Sequence, residues 1–464
     1  MEQELTLLCQ KTFGGDHTIQ ELRRLTGGAN AATWSFDYGL KPLVLRQDSS
    51  GADETQERSG ISAIGLKTEA ALMSKAAEYN IKAPKIYAVT PKESAFGEAV
   101  LMERVSGEAL PQKLFKDPKY ETALSGLTIE CAQALAKIHT IPSSEFEKLL
   151  DTRTPEKALS MIKEQFADYG QSSAVLASAI NWMGENCPKD SESVLLHADF
   201  RMGNLLIDET GITSVLDWEL SHIGDPVSDV AYFCAPPWRF GRYDKQAGGV
   251  GSLDSLVTAY EAASGRIVES DRILWWRMHS SVNWCLMCMT MANMWRTHAD
   301  RELERIVIGT RVSESEVDIL LLFDEIYAFE DTFNPELSID DPKDHKAHTK
   351  PTELTDAIIE WLSDDIIPDA KGREGFKARV ARNAMGILKR DITLSPHFKP
   401  RQSARLEQLE TNEDDLIVRL LKGSISIQDN DIRRHLKRTT LEQLSIDQPK
   451  YTGFKVALTN WSHS

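Results

Sequence analysis

Along the first hundred residues the hydrophobic positions recur mostly at strand-like spacing. Residues 19–25 mix apolar and polar side chains and end at Thr26-Gly27-Gly28. Residues 32–38 (ATWSFDY) are rich in aromatic residues, and Leu43, Val44 and Leu45 form a short apolar run after Pro42. Polar residues 48–62, with Gly51 and Gly60, read as a loop. One helix follows at 66–79, where Leu66, Ala70, Met73 and Ala77 share a face. Residues 86–89 and 99–103 are two more strand candidates. The first hundred residues therefore read as strands plus one helix.

The rhythm then turns helical. At 128–139 the apolar residues Cys131, Leu135 and Ile138 recur at helical spacing, and Pro142 soon stops that helix. Residues 190–233 differ, with short apolar runs (VLLHAD, NLLID, ITSVLDW) separated by Gly and Asp, which is β-hairpin character. Residues 252–330 return to helix and carry Trp275, Trp276, Trp284 and Trp295, the signature of core or of a pocket wall. Residues 334–351 (NPELSIDDPKDHKAHTKP) hold three prolines and no periodicity, so they read as a linker. Beyond it come an amphipathic helix at 353–365 (Leu354, Ile358, Trp361, Leu362) and another at 376–391 (Val380, Ala384, Ile387, Leu388). Residues 405–421 and 432–444 complete a small all-helical unit. No internal repeat stands out.

Composition narrows the classes. At 464 residues two or three domains are expected. Hydrophobic residues at 41% leave ample material for a core. A formal net charge of −17 argues against a nucleic-acid or anionic-membrane surface, because either needs a basic patch. The N-terminal MEQELTLLCQKTFGG has no basic segment leading into an apolar one, so no secretory leader is expected. The longest apolar stretch, 282–294, is interrupted by Asn283 and Asn293 and is too short to span a bilayer. Six scattered cysteines in a long chain suggest no disulfide framework and a reducing cytoplasm. Cys285 and Cys288 form a CxxC inside an apolar helical run, which reads as core rather than as a metal or redox site.

The chemistry concentrates in LLHADFRMGNLLID, residues 195–208. An apolar strand leads to His197, Asp199 and Asn204, and a second strand follows. A few residues on, ITSVLDWE delivers another acid, Asp217. Phosphoryl transfer to a hydroxyl needs a carboxylate to accept or orient the hydroxyl proton, and oxygen ligands to hold Mg²⁺ on the phosphates. HxDxxxxN plus a strand-borne Asp supplies both, with Asp199 as base and Asn204 and Asp217 as metal ligands. The spacing is that of the protein-kinase catalytic loop and metal aspartate.

HADFRMGN followed by VLDWELSHIGDPVSDVA resembles the aminoglycoside phosphotransferase family, a branch of the protein-kinase-like fold acting on small molecules. The RMGN and DWELxxxGDPxxDxA wording is most similar to members that accompany acyl-CoA dehydrogenases. The likeness is expected to cover residues 15–330; beyond Pro351 the chain resembles an uncharacterised helical domain sometimes fused to such kinases. The resemblance implies an α+β fold, two-lobed and protein-kinase-like, with a C-terminal all-helical domain. Its parts would be an ATP-binding lobe at 1–103, a catalytic and acceptor-binding lobe at 104–333, a linker at 334–351 and a helical domain at 352–464.

The resemblance also implies the remaining parts of the site. Gly27 and Gly28 would let backbone N–H groups approach phosphates, although a hairpin turn is the plainer reading of that pair. Arg46 stands where the protein-kinase pattern has Lys, and would bridge phosphates with Glu69 as its ion-pair partner. Backbone groups of Glu103 and Val105 would hold adenine, with Met102 behind it. Arg201 would either neutralise γ-phosphate charge or pair with a neighbouring carboxylate. His197 reads as a packing and hydrogen-bonding residue, and Asp225 and Asp229 as braces of the loop and of the next helix, which Pro226 would begin. The expected activity is an ATP- and Mg²⁺-dependent kinase of a small-molecule hydroxyl. A hydroxyacyl-CoA or hydroxy acid is the favoured acceptor, with a partner in an acyl-CoA dehydrogenase pathway. Trp275, Trp276, Trp284, Met287, Met291 and Trp295 would suit its alkyl chain, and Arg272, Arg277 and Arg296 a CoA tail. The alternatives are an aminoglycoside or other amino-alcohol kinase and a catalytically silent nucleotide-binding regulator or scaffold.

Overall fold

The computed structural model describes residues 1–25, 31–48, 64–189, 192–337 and 349–462. The chain runs α1 (Glu2–Phe13), β1 (Ile19–Arg24), β2 (Ala31–Tyr38), β3 (Lys41–Asp48), α2 (Leu66–Glu78), β4 (Ile86–Thr90) and β5 (Ala99–Glu103). It continues through α3 (Pro111–Leu114), α4 (Glu121–Ile138), β6 (Thr152–Arg153), α5 (Pro155–Asp168), α6 (Ala174–Glu185), β7 (Val194–Leu196), β8 (Leu205–Asp208), β9 (Gly211–Val215) and β10 (His222–Gly224). Helices follow: α7 (Pro226–Phe233), α8 (Leu253–Ser264), α9 (Ser270–Arg296), α10 (Leu303–Ile308), α11 (Val312–Tyr327), α12 (Pro351–Trp361), α13 (Gly372–Gln408), α14 (Glu413–Leu421), α15 (Asn430–Asp447) and α16 (Thr452–Trp461). The architecture is α+β and kinase-like. Packing divides it into two compact units, residues 1–155 with 189–276, and residues 156–188 with 277–464.

In the first unit an antiparallel sheet has the order β1-β2-β3-β5-β4. Side chains alternate across a strand, so Phe36 and Tyr38, Leu43 and Leu45, and Ala99 and Leu101 all enter one core. Leu5 and Cys9 of α1 close that core. The Tyr38 hydroxyl donates to the carbonyls of Gly14 and Gly15, tying the end of α1 to the sheet. Helix α1 departs from the expected strands plus one helix. Its buried stripe is only Leu5 and Cys9, too narrow to mark a helix in the sequence.

On α2 the buried face is Glu69, Ala70, Leu72, Met73 and Ala76, while Ala77 faces solvent. The expected face was therefore set one residue too far round, because a charged residue, Glu69, belongs to the inward stripe. The predicted loop at 48–62 lies outside the described residues beyond Asp48. Further along, β8 and β9 form a hairpin, and β6, β10 and β7 form a small sheet, in keeping with the hairpin character of 190–233.

The second unit is helical among its described residues. Helix α13 runs unbroken through Pro396 and Pro400, where two separate helices were expected, and buries Phe398. Conversely, the expected helix at 405–421 is interrupted. Asn412 begins α14 as a new helix by accepting from the Asp415 N–H. Of the four expected apolar residues, Leu354, Ile358 and Trp361 on α12 are exposed and only Leu362, just beyond it, is buried. The cysteines of the CxxC are both buried in α9.

A buried charge cluster holds α15 and α16 to α11. Lys437 is 1% exposed, with its Nζ 2.7 Å from Asp324 and 3.5 Å from Asp331. The Trp461 indole N–H donates to Asp324 at 2.6 Å. Removing one partner strands the others in a dry interior. Lys437→Ala is expected to lower unfolding free energy by about 3–5 kcal/mol, measured by urea denaturation. A loss within experimental error would show that the cluster is solvated.

Candidate active site

β7 leads directly into the loop His197-Ala198-Asp199. Ala198 has a φ of 64°, a left-handed conformation that costs an L-residue with a Cβ about 1–2 kcal/mol. Asp229, 1% exposed on α7, accepts the backbone N–H groups of His197 and Ala198, both at 2.8 Å. His139 lies 3.3 Å from the same carboxylate and 2.8 Å from the Tyr260 hydroxyl. Burial alone would raise the Asp229 carboxyl. The His139 hydrogen bond, the charges of His139 and His197 and the backbone donor carry it below the ordinary carboxylate range instead. Asp225 begins α7 as its cap, accepting from the Val227 N–H, and also accepts the Trp276 indole N–H at 3.0 Å. Pro226 is the first residue of that helix.

His197 is fully buried, and burial lowers its pKa. Its Nε2 donates to the Leu216 carbonyl, and its Nδ1 accepts the Asp199 N–H. Both ring nitrogens are therefore occupied, which suits a structural role and leaves neither to act as a base.

Asp199 is 7% exposed and heavily coordinated. Its Oδ1 accepts from Arg201 Nε at 3.0 Å and from the Tyr232 hydroxyl at 2.8 Å. Its Oδ2 accepts from Asn204 Nδ2 at 2.6 Å, and the same amide nitrogen reaches the Asp199 carbonyl. Arg201 thus pairs with a carboxylate, the second of its two expected roles, and its guanidinium lies over the Trp238 ring. Tyr232 and Trp238 were not singled out in the sequence. Tyr232 was legible in principle, since it lies three residues after Asp229 on the same helical face.

Asp217 follows β9 with a φ of 65°, a conformation that Asp adopts more readily than most residues. Its side chain is 33% exposed, and its Oδ1 lies 3.6 Å from Arg46 Nη2. Arg46 Nη1 in turn donates to Glu69 Oε1 at 2.5 Å. So Arg46, Glu69 and Asp217, far apart in the sequence, form one chain of charges. Asn204 spends its amide nitrogen on Asp199, leaving Oδ1 as its acceptor atom. A carboxylate and an amide oxygen suit a hard cation such as Mg²⁺. Among the described residues no group of three or more His, Cys, Asp or Glu side chains is placed to hold a metal, so phosphate and water oxygens would complete the shell.

At the end of β5 the Glu103 N–H donates to the Lys85 carbonyl and the Arg104 N–H to the Pro42 carbonyl. Neither amide is left for a ligand. The Val105 N–H donates to no partner among the described residues. Met102 is 5% exposed. Gly27 and Gly28 lie outside the described residues.

The phosphotransferase enzyme family model matches residues 21–265, and a model of a domain of unknown function (DUF6285) matches residues 368–451. The chain belongs to the phosphotransferase enzyme family. Acyl-CoA dehydrogenase family member 11 of Pongo abelii is 29% identical over 263 residues, 52% of this chain and 32% of the relative. Acyl-CoA dehydrogenase family member 10 of Mus musculus is 26% identical over 233 residues, 47% and 21% respectively. The chain spans about a third or less of these relatives. A candidate aminoglycoside phosphotransferase of Ralstonia eutropha superposes with a TM-score of 0.54 at 19% identity, covering 68% of this chain and 95% of that one. That likeness establishes the fold.

The Arg46–Glu69 pair carries a pH dependence. Burial is the larger influence on Glu69 and raises its carboxyl to about 7, while Arg46 pulls it down. Because this pKa is raised, the fold favours the protonated acid. Stability from this group is lost as pH rises from the ordinary Glu range through 7. Over the same window the ion pair gains its negative half. Phosphotransfer kcat/KM is expected to rise with an apparent pKa of about 7 between about pH 5 and pH 9, and Glu69→Gln to flatten that limb. A pH profile identical in wild type and variant would contradict this.

Proposed function

We propose that the chain transfers the γ-phosphoryl group of ATP to a hydroxyl of a small molecule, with Mg²⁺. The carrying observation is the convergence of Asp199, Asn204, Asp217 and Arg46 around one loop. Asp199 orients the acceptor hydroxyl and takes its proton, the hydroxyl oxygen bonds to the γ-phosphorus, and the bond from phosphorus to the ADP oxygen breaks. Asn204 holds Asp199 in place through its amide nitrogen. Asn204 Oδ1 and Asp217 are the residues that would bind Mg²⁺, which neutralises phosphate charge when present. Arg46, anchored by Glu69, faces the phosphates. The Val105 N–H and the Glu103 carbonyl hold adenine; Gly27 and Gly28 are the residues that would meet the phosphates. The lobe and linker boundaries at 103, 333 and 351 belong to the same proposal.

For the acceptor, the relatives named for acyl-CoA dehydrogenases support a hydroxyacyl-CoA or hydroxy acid, acting beside an enzyme of that pathway. Phosphorylation would turn a poor leaving group into a good one. The side chains offered for the alkyl chain are fewer than expected. Trp275 and Trp276 are buried and pack edge to face, so they serve as core. Arg277 is held bidentately by Glu325 at 2.6 and 2.8 Å, and Arg272 pairs with Asp225. Of the three arginines only Arg296 is exposed.

Asp199→Asn is expected to lower turnover by about 10²- to 10⁴-fold with nucleotide affinity largely kept; near-wild-type turnover would remove Asp199 from the chemistry. For Asp217→Ala, titrating Mg²⁺ is expected to give no activation, and an unchanged activation curve would exclude the metal role. A panel of hydroxyacyl-CoAs, hydroxy acids and aminoglycosides, read as ATP consumption, should show the highest kcat/KM for a hydroxyacyl substrate. A higher value for kanamycin would overturn the acceptor and leave the kinase reading intact.

A further inference from the structure

The second unit contains a half-open cavity of about 560 Å³, a volume typical of small-molecule sites. All its lining residues belong to that unit. They come from the start of α6, from α9 and from the segment entering α11, and also from α13, α14 and α15. The cavity therefore lies where helices matched by the domain of unknown function meet helices that precede it.

Its lining is acidic and rich in acceptors. Glu316, Glu413 and Asp447 contribute carboxylates, and Arg296, which is exposed, is the lone Lys or Arg lining it among the described residues. Glu316 accepts from the Ser173 hydroxyl at 2.7 Å, and no salt bridge to it is formed among the described residues. The Asp447 carboxylate accepts from the Ser313 hydroxyl and the Gln443 amide, and the Arg390 guanidinium donates to the Asp447 backbone carbonyl at 3.3 Å. An independent observation is His435. It lines the cavity at 6% exposure, and its Nδ1 has no hydrogen-bond partner among the described residues. A buried polar atom left unmatched in this way is costly and calls for a partner.

We propose that this cavity is a binding site, separate from the phosphotransfer residues, for a small aliphatic amine whose ammonium group seats against Glu316. Three carboxylates lining one half-open cavity, with Glu413 at its exposed side, repel one another, and a cation relieves that repulsion while its N–H donors fill the acceptors. Two shifts agree with this charge balance. Burial, followed by Asp447 and Glu413, raises Glu316 to about 7 against the pull of Ser173. Burial and Arg405 lower His435 to about 4, so its ring is neutral and does not repel an ammonium. Because the walls come from before and after residues 334–351, an occupant would tie the C-terminal helices to the rest of the unit and raise its melting temperature.

The test is isothermal titration of the full chain with putrescine and spermidine, and with succinate as an anion of similar length. One amine per chain is expected, with no succinate binding. Glu316→Gln, which keeps an acceptor for Ser173, is expected to weaken amine binding at least tenfold. Asp447→Asn is expected to act in the same direction, and Asp199→Asn to leave binding unchanged. Circular dichroism melts verify that each variant folds; should either fail to, the preference of wild type for amine over succinate still decides. The proposal is overturned by absence of amine binding, by succinate binding as well as the amines, by affinity that ignores Glu316→Gln, or by loss of binding in Asp199→Asn.

Discussion

Everything at the candidate active site hangs on one buried carboxylate. Asp229 accepts two successive backbone amides, those of His197 and Ala198, from inside α7. A carboxylate has lone pairs enough for both and for His139 as well. These bonds hold Ala198 in a conformation it would otherwise avoid, and that conformation sets the direction in which Asp199 leaves β7. Burial opposes the charge, and several donors together outweigh burial. The helix is therefore part of the support of the His197–Asp199 loop rather than a neighbouring element.

From that anchor the rest follows in order. Asp199 is fixed at both oxygens, by Arg201 and Tyr232 on one side and Asn204 on the other. Asn204 also donates to the Asp199 backbone, so loop and side chain are locked together. The His197 ring bridges to Leu216, the residue before Asp217. Asp199 and Asp217, the two acids of the proposed chemistry, are thus tied through a single neutral imidazole. On the opposite side Arg46 joins Asp217 to Glu69, linking the five-stranded sheet and α2 to the same centre.

The legible part of this was the part written in short, contiguous patterns. The HxDxxxxN run, the later Asp217 and the GDPVSDVA segment stand close together, so local rules read them, including the bracing places of Asp225 and Asp229 beside the loop. Elements whose signals were thin or contradictory were less legible. Helix α1 buries two residues; the inward face of α2 includes a glutamate, which looks solvated until Arg46 is beside it. Prolines usually end helices, yet α13 continues past two of them, with Phe398 buried against its surroundings. Tyr232 has no motif of its own and shows its place only once α7 is folded beside Asp199. The acidic cavity of the second unit is assembled from six separate segments, and no window of sequence contains it.

If Asp229 organises the loop, weakening its acceptor power without changing its size should disable chemistry before it disables folding. Asp229→Asn replaces one acceptor oxygen by a donor facing a backbone N–H, a mismatch worth about 1–3 kcal/mol in a buried site. The decisive measurement is turnover of this variant beside its melting curve. The account predicts a folded protein with nucleotide affinity near wild type and turnover reduced at least about 10²-fold, or about 2.7 kcal/mol at 1.36 kcal/mol per decade. Wild-type turnover in a folded Asp229→Asn protein would contradict it.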